Sequence, residues 1–327
     1  MANSKRLDLE SIFNFLLNNV NDRVSIEGFA FEPIKLGGVY WCITAIALLK
    51  GVPNYIIHPK TNENLESMVM NILKLSKNDD GGFGFGPKHP SNIIATHYAI
   101  LTLALIDKLD FINKYDIIKF ISSLQSEDGS FAADNFGESD CRYSYSALSC
   151  LCLLGGLDRI NLDSAVDFIL ACKNFDGGFG WQPKSESHAA AAFCCVGALA
   201  QLNAISLIDC DSLGFWLCER QTQCGGFNGR PAKLPDICYS WWILSALHNI
   251  GRFNWVDPDG LVDFIIESQN PDDGGIAFYP GYIGDVCHTF FALCGISLID
   301  SNKYMLQQIH PIYATTFEAV ERIRNIK

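Results

Sequence analysis

The chain has 327 residues, of which 49% are hydrophobic and 18% charged, a composition that excludes an intrinsically disordered protein. Its formal net charge is −12 at pH 7 and its pI about 4.9, which argues against a nucleic-acid-binding protein, because such proteins carry a basic surface. An anionic ligand would therefore need a local cluster of basic residues.

The amino terminus is polar and lacks the apolar core of a signal peptide, so a secreted protein is not expected. The 13 cysteines are an odd number and include the neighbours Cys194 and Cys195. This usage is typical of reduced, mostly buried thiols rather than of a disulfide framework. The sequence therefore predicts a cytoplasmic protein.

Residues 36–41 resemble the start of an apolar helix, and a glycine-turn motif follows them five times along the chain. The turns begin at Gly81, Gly129, Gly177, Gly225 and Gly274, a spacing of 48 or 49 residues. Such regular spacing indicates a structural repeat. The turns lack the sequence context of phosphate-binding loops, and we interpret them as connectors.

Each turn separates two helical patterns. Before the turn the apolar residues have amphipathic spacing, as in Val166, Ile169 and Leu170, and after it they are more continuous, as in residues 239–244. Each repeat is thus a helical hairpin with an outer and an inner helix, and residues 36–41 belong to a degenerate first repeat. About six hairpins result.

Six hairpins can form an open superhelix or a closed ring. The inner helices are too apolar and aromatic to face solvent as they would in an open solenoid. We therefore predict an all-α fold, an α/α barrel (toroid) with a cavity lined by Trp, Tyr and Phe. No linker interrupts the pattern, so residues 1–327 are predicted to form a single domain.

Residues 189–208 are twenty consecutive residues without a charge, long enough to span a bilayer. Gln201, Asn203 and Ser206 interrupt this stretch, and other copies of the same repeat carry charges. We interpret it as a buried core helix and predict that the protein does not span a membrane.

Polar residues of catalytic type recur where each inner helix begins. Arg142, His188, Cys238 and His288 lie 11 to 14 residues after the first glycine of their repeats, and Asp236 and Asp285 also fall in this window. Because equivalent positions of successive hairpins lie at one level, these side chains are predicted to meet at one rim of the cavity.

Asp236, Cys238 and His288 are a candidate zinc site. Asp236 and Cys238 can both face one ion at a helix start, and His288 comes from the next hairpin at the same level. Oxygen, sulfur and nitrogen ligands suit Zn²⁺, and three protein ligands leave a fourth position for a substrate. The alternative is that the three residues are only structural.

Arg230 and Lys233 precede the same helix, and His188 lies one repeat earlier. Together they would form an anion site of pyrophosphate size, unless the two basic residues are simply solvated loop charges. Trp241 and Trp242 can be packing residues or can stack on an apolar ligand. His97, Cys194 and Cys195 lie in apolar helical runs and are predicted core residues.

With these motifs, the sequence resembles a known family, the β subunits of protein prenyltransferases, over nearly its whole length. The segment Leu-Pro-Asp-Ile-Cys-Tyr-Ser-Trp-Trp at residues 234–242 is most similar to the β subunit of Rab (type II) geranylgeranyltransferase. Residues 186–189, 285–288 and 311–313 add to the likeness. Farnesyl and type I enzymes typically have Tyr-Ser-Phe-Trp at the corresponding place.

The resemblance implies roles for individual residues. Asp236, Cys238 and His288 would bind one zinc ion per β subunit, with Asp285 beside them in the catalytic set. The implied substrate-binding residues are those that hold the diphosphate, namely His188, Arg230, Lys233 and Tyr239, and those along the isoprenoid, namely Trp241, Trp242, Arg142, Ala189, Ala190, Ser240 and Gly37. A small residue such as Gly37 leaves room for a geranylgeranyl tail, whereas farnesyl enzymes place a bulky one there.

The implied function is the transfer of geranylgeranyl from geranylgeranyl diphosphate to carboxyl-terminal cysteines of Rab GTPases through a zinc-bound thiolate. The implied partners are a prenyltransferase α subunit, in a heterodimer, and a Rab escort protein. Some relatives use an Asp linked to magnesium where this chain has Phe278, so a magnesium requirement is not predicted.

Three other functions stay open. The chain could be a farnesyl or type I geranylgeranyl transferase β subunit, which would share the zinc chemistry. It could be a terpene cyclase-like α/α barrel, although it has neither a DxDD nor a DDxxD motif. A non-catalytic helical-repeat scaffold would explain the period but not the clustering of Arg, Asp, Cys and His at one phase.

Overall fold

The structure, a computed structural model, describes residues 6–20, 32–51 and 56–326. Within these ranges the chain forms α-helices, short 3₁₀ turns and isolated β-bridges, and no extended strand. The predicted all-α class is confirmed.

The helices form two layers. The inner layer contains α2 (Lys35–Lys50), α4 (Ile93–Leu105), α6 (Cys141–Leu154), α8 (Ala189–Gln201), α10 (Cys238–Asn249) and α12 (Val286–Asp300). The outer layer contains α1 (Leu9–Asn19), α3 (Leu65–Ser76), α5 (Lys114–Ser122), α7 (Leu162–Ala171), α9 (Cys210–Cys218) and α11 (Pro258–Glu267). A last helix, α13 (Phe317–Arg324), follows the six hairpins.

The inner helices form a closed ring. Each packs against the next along the chain, and α12 packs against α2, which completes the circle. The outer helix α1 contacts both α2 and α12, so it covers the joint between the first and last hairpins. The predicted barrel is therefore confirmed, and the open superhelix is excluded.

The glycine turns have a steric requirement, which is clearest at Gly129. Its φ is +86°, and a Cβ atom there would lie 1.9 Å from the carbonyl oxygen of Ser164 in the next outer helix, α7. The side chain of Asp128 accepts a hydrogen bond from the backbone N–H of Ser130 and holds the turn. Each hairpin thus approaches its neighbour so closely that only glycine fits.

Residues 306–316 close one end of the barrel. They cross the side where the inner helices end, and side chains from three inner helices donate hydrogen bonds to their carbonyl oxygens. The contacts are Tyr40 Oη to Ala314 at 2.6 Å, Tyr145 Oη to Ile312 at 2.5 Å and Ser245 Oγ to Pro311 at 2.6 Å. The helix α13 then packs on α4 and α6. The opposite end, where the inner helices begin, carries the candidate site.

The apolar helices lie within this ring. Of the buried core helix predicted over residues 189–208, residues 189–201 form the buried α8, whereas the chain leaves the helix after Gln201 and Leu207 is exposed in a short 3₁₀ turn. Among the residues that the structure describes, one helical segment, Glu32–Lys50, has the length and composition of a membrane span, but 61% of its most apolar window is buried and it includes α2 of the inner layer. The cysteines are all free and most are buried.

Candidate active site at the open end of the barrel

A cavity of about 370 Å³ extends from the starts of the inner helices to the residues that close the other end. Tyr313 and Ala314 form its base. Its wall is predominantly aromatic, as predicted, and includes Tyr40, Trp41, Tyr98, Tyr145, Phe193, Trp241, Trp242, Phe290 and Phe291. A cavity of this size and character suits an elongated apolar ligand.

The three candidate metal ligands meet at the rim. One ligand atom from each of Asp236, Cys238 and His288 lies within 4.8 Å of the other two. Cys238 is the first residue of α10, and its backbone N–H donates to Asp236 Oδ1 at 2.8 Å. His288 comes from α12, and its Nε2 lies 3.3 Å from Asp236 Oδ1. The closed ring thus brings together residues that are 50 positions apart in the chain.

Asp285 orients His288. It caps α12 by accepting the backbone N–H groups of Cys287 and His288, and its Oδ2 lies 2.5 Å from His288 Nδ1. Burial alone would lower the pKa of His288, but its hydrogen bonds with Asp236 and Asp285 outweigh this effect and raise the pKa to about 10. Because Asp285 contacts Nδ1, the imidazole of His288 directs its Nε2 toward the other two candidate ligands.

Cys238 is buried beside the two other candidate ligands. Burial raises the pKa of its thiol well above the usual value, and the neighbouring Cys287 and Asp236 raise it further. A thiol in such surroundings releases its proton readily only when a cation compensates the charge. Oxygen, sulfur and nitrogen donors at these separations fit a zinc ion with one open position. Cys287 received no role from the sequence, although it lies next to His288 in the quoted motif.

His188 lies at the mouth of the cavity and caps α8. Its Nδ1 accepts the backbone N–H of Ala190 at 3.2 Å, which leaves Nε2 3.4 Å from Tyr239 Oη. Burial and the positive charge of Arg230 lower the pKa of His188, so the ring is neutral at pH 7 and offers an N–H at Nε2. Gly229 makes room for Tyr239, because a Cβ atom there would lie 2.3 Å from the phenol oxygen.

The basic residues differ in how they reach this mouth. Arg230 is partly exposed and pairs with the carboxylate of Glu186, a partner that sequence reasoning missed. Lys233 is exposed in the same loop, and neither basic residue lines the cavity, but of the two only the charge of Arg230 acts on His188. Of the predicted cationic cluster, the structure therefore brings Arg230 closest to His188 and leaves Lys233 on the surface.

Arg142 is the second residue of α6 and lines the cavity. Its Nη2 lies 2.6 Å from Oδ2 of the buried Asp140, and its Nε donates to the same carboxylate. The hydrogen bonds to Asp140 raise the pKa of Arg142 above its already high usual value, so its charge is permanent. The indole ring of Trp181 contacts both Arg142 and His188, although the sequence drew no attention to it.

The remaining predicted residues surround the cavity. Trp241, Trp242 and Ala190 line it, whereas Ala189 and Ser240 are buried but do not line it. Gly37 lies on α2, where an added Cβ atom would be 3.6 Å from the Tyr98 ring.

The three predicted core residues are all buried, and His97 and Cys194 also form part of the cavity wall. The aromatic ring of Phe278 lies beside His288, with the two ring centroids 6.1 Å apart, so this position supplies no carboxylate for a magnesium ion.

Comparisons with known proteins agree with this architecture. The family described as the prenyltransferase alpha-alpha toroid domain matches residues 7–315. A Candida albicans structure described as protein geranylgeranyltransferase-I complexed with GGPP superposes with a TM-score of 0.87 at 26% identity, over 98% of this chain and 99% of that one. The type II terpene cyclase MstE from Scytonema, at 12% identity and a TM-score of 0.60 over 90% of this chain and 98% of its own, shows the fold alone.

Curated relatives match shorter segments. The geranylgeranyl transferase type-2 β subunit of Saccharomyces cerevisiae is 41% identical over 125 residues, which are 38% of this chain and 36% of that protein. The probable type-2 β subunit of Dictyostelium discoideum is 44% identical over 60 residues, 18% of each chain. The aligned segments thus span about a fifth to a third of the curated relatives' length.

Proposed function

Because the chain belongs to the prenyltransferase alpha-alpha toroid family, we propose that it is the catalytic β subunit of a type II protein geranylgeranyltransferase. It transfers a geranylgeranyl group from geranylgeranyl diphosphate to carboxyl-terminal cysteines of Rab GTPases. The observation that carries the proposal is the cluster of Asp236, Cys238 and His288, mutually within 4.8 Å, at the starts of the helices α10 and α12, whose next residues include Tyr239 and Phe291 of the aromatic cavity wall.

The site residues divide the work between the acceptor and the isoprenoid. Asp236, Cys238 and His288 would hold a zinc ion, which supplies a Lewis acid that lowers the pKa of the acceptor's thiol. The sulfur of the acceptor cysteine attacks C1 of the isoprenoid, so that a C–S bond forms while the C–O bond to diphosphate breaks. Asp285 keeps His288 in the orientation that this arrangement needs.

The departing diphosphate lies against hydrogen-bond donors. His188 Nε2 and Tyr239 Oη are adjacent at the mouth, and Arg230 is displaced from Glu186 to the anion. Lys233, in the same loop, adds positive charge from the surface. These groups stabilise the negative charge that develops on the leaving group.

The hydrocarbon chain occupies the aromatic cavity, where burial contributes about 0.8 kcal/mol per methylene. A Cβ atom at Gly37 would already be in van der Waals contact with Tyr98 and Trp41, so a bulky residue there would press these two wall residues toward the space of a long chain. The GGPP complex of the Candida albicans relative supports the same ligand class. Phe278 supplies no carboxylate beside His288, so the proposal includes no magnesium ion.

The relatives also suggest the setting. We propose a heterodimer with a prenyltransferase α subunit, presentation of Rab GTPases by an escort protein, and action in the cytoplasm by one α/α barrel domain over residues 1–327. The type-2 β subunits of yeast and Dictyostelium favour this assignment over farnesyl or type I enzymes. The cluster of possible metal ligands Asp236, Cys238 and His288 favours an enzyme over a non-catalytic scaffold.

Metal analysis and a transfer assay test the proposal. The chain co-expressed with a type II α subunit should contain about one zinc per heterodimer and should prefer geranylgeranyl over farnesyl diphosphate with an acceptor that ends in Cys-Cys. Cys238→Ala should lose the zinc and lower the rate at least about 100-fold. Cys224→Ala is the matched control, because Cys224 is exposed in a turn.

Three results would contradict it. Preference for farnesyl diphosphate would reassign the substrate within the family. A wild-type heterodimer that contains no zinc and transfers neither isoprenoid would leave a cyclase-like or scaffold function, and a Cys238→Ala protein that keeps both its metal content and its activity would exclude Cys238 as a zinc ligand.

A further inference from the structure

Trp181 lies in the loop that leads from the turn at Gly177 to α8, and it forms part of the cavity wall. Two hydrogen bonds tie this loop to the start of the neighbouring helix α6. The backbone N–H of Cys141 donates to the carbonyl oxygen of Trp181 at 2.9 Å, and Gln182 Nε2 donates to the carbonyl oxygen of Ser139 at 2.6 Å. The indole is therefore fixed between two adjacent hairpins.

The ring touches one polar group from each of these hairpins. The guanidinium carbon of Arg142 lies 5.3 Å from the indole centroid, within the range of a cation–π contact. The imidazole centroid of His188 lies 5.1 Å from it, with the two planes inclined by 35°. Trp181 is thus in contact with Arg142 on α6 and with His188 at the start of α8.

Arg142 and His188 each have a hydrogen-bond partner in addition to their contact with Trp181. Asp140 grips the Arg142 guanidinium with both carboxylate oxygens, and the backbone N–H of Ala190 holds His188 Nδ1. The Asp140 carboxylate fixes the plane of the Arg142 guanidinium, which also lies over the ring of Tyr143, 5.2 Å from its centroid. Trp181 adds a rigid aromatic face that contacts both Arg142 and His188 and so couples their positions, whereas an aliphatic side chain offers neither a flat surface nor a negative face.

We propose that Trp181 is a positioning residue, which holds His188 in the orientation that receives the diphosphate end of the isoprenoid substrate and holds Arg142 beside it at the mouth of the cavity. The proposal rests on the proposed function, because it assumes that an anion occupies this mouth. It assigns to Trp181 a role in recognising the charged end, distinct from the apolar contacts deeper in the cavity.

Binding of a charged and an uncharged ligand separates these roles. The full chain in complex with its α subunit is titrated calorimetrically with geranylgeranyl diphosphate and with geranylgeraniol. Trp181→Leu should weaken the diphosphate at least fivefold and the alcohol less than twofold. Trp181→Phe, which keeps an aromatic face, should stay within about twofold of the wild-type protein for both ligands.

Trp255→Leu is the matched control. Trp255 also has an arginine over its ring, with Arg252 Cζ at 5.2 Å, but it is exposed outside the cavity. It should bind both ligands as the wild-type protein does. Binding of the alcohol by Trp181→Leu also verifies that the variant is folded.

Two outcomes overturn the inference alone. An equal loss of both ligands would make Trp181 an ordinary part of the cavity wall, and an unchanged affinity for the diphosphate would show that Arg142 and His188 do not need it. If the wild-type complex itself bound the diphosphate no better than the alcohol, the proposed function would fail together with the inference.

Discussion

His288 depends on one carboxylate for its direction. Asp285 both caps α12 and contacts Nδ1 of His288, so the start of the helix and the proposed zinc ligand depend on a single side chain. Such outer partners of metal-binding histidines set ring orientation and ligand basicity. The effect of removing the charge of Asp285 should therefore appear in metal affinity.

We expect Asp285→Asn to weaken zinc binding about 10- to 100-fold, measured by competition with a chelator. Asparagine still caps a helix, so the free energy of unfolding of the metal-free protein should change little. Asp257→Asn is the control, because Asp257 caps α11 in the same way without a histidine partner. Equal zinc affinities for wild-type protein and Asp285→Asn would show that Asp285 acts only as a cap.

His97 links stability to pH. It is 3% exposed, and burial lowers its pKa to about 3, whereas an unfolded histidine titrates near 6.5. The unfolded chain therefore binds a proton that the folded chain excludes, and the folded state loses stability as pH falls below about 6.5.

Between pH 7 and pH 5 this residue should cost the wild-type protein about 2 kcal/mol of unfolding free energy. His97→Leu should lack this component, so its stability should fall less over the same interval in denaturant titrations. Parallel losses in the two proteins would mean that His97 is protonated in the folded state.

The residue types at the site could be foreseen, but several of their partners could not. The position of Cys238 and His288 within the repeat was sufficient to place them at one rim, because equivalent positions share a level. Glu186 against Arg230 and Trp181 against Arg142 depend on loop conformations that no periodicity encodes. The exposed position of Lys233 likewise follows from the path of its loop and not from its repeat position.

At the scale of the helical elements, the glycine turns set the distance between hairpins. At Gly129 two requirements coincide, a φ of +86° and a close approach to Ser164. At Gly155, which ends α6, only the first applies, because φ is +74° and nothing lies within 4 Å of an added Cβ. Comparison of alanine substitutions at Gly129 and Gly155 therefore distinguishes the cost of backbone strain from the cost of a steric clash.

Gly129→Ala should lower the unfolding free energy by more than about 3 kcal/mol, since strain and displacement of α7 add. Gly155→Ala should cost only about 1 kcal/mol, the strain alone. Urea denaturation of both variants measures the difference. Similar costs at the two sites would show that the hairpins move apart easily.

The helical elements themselves were largely predictable. Amphipathic spacing before each turn and continuous apolar sequence after it correspond to the outer and inner helices, because burial on one side or on all sides selects these patterns. The first repeat was less clear, because it is degenerate and only its inner helix was identified. The outer helix α1 and the last helix α13, neither of which precedes a glycine turn, were identified from the structure and not from the pattern.

At the scale of the whole molecule, closure of the ring makes all six hairpins interdependent. In an open solenoid each repeat contacts only its neighbours, so a shorter array still folds. Here α12 must reach α2, and α1 covers the joint. Residue spacing alone did not decide between these architectures; the apolar character of the inner helices did.

A chain that lacks residues 141–188, one complete repeat, should therefore fail to unfold in a single cooperative transition. Circular dichroism during denaturation, with the full chain as reference, measures this. An open array would instead lose stability in proportion to its length. A sharp transition in the shortened chain would show that five hairpins can close a smaller circle.

The contacts of residues 306–316 have a consequence for biosynthesis. A ribosome that has translated as far as residue 300 has already produced all six inner helices, yet the carbonyl groups that receive Tyr40 and Tyr145 do not exist. Until they emerge, the nascent barrel is a tube open to water at both ends. A premature stop codon in this late stretch would thus spare Asp236, Cys238 and His288 and still leave the aromatic cavity without its base.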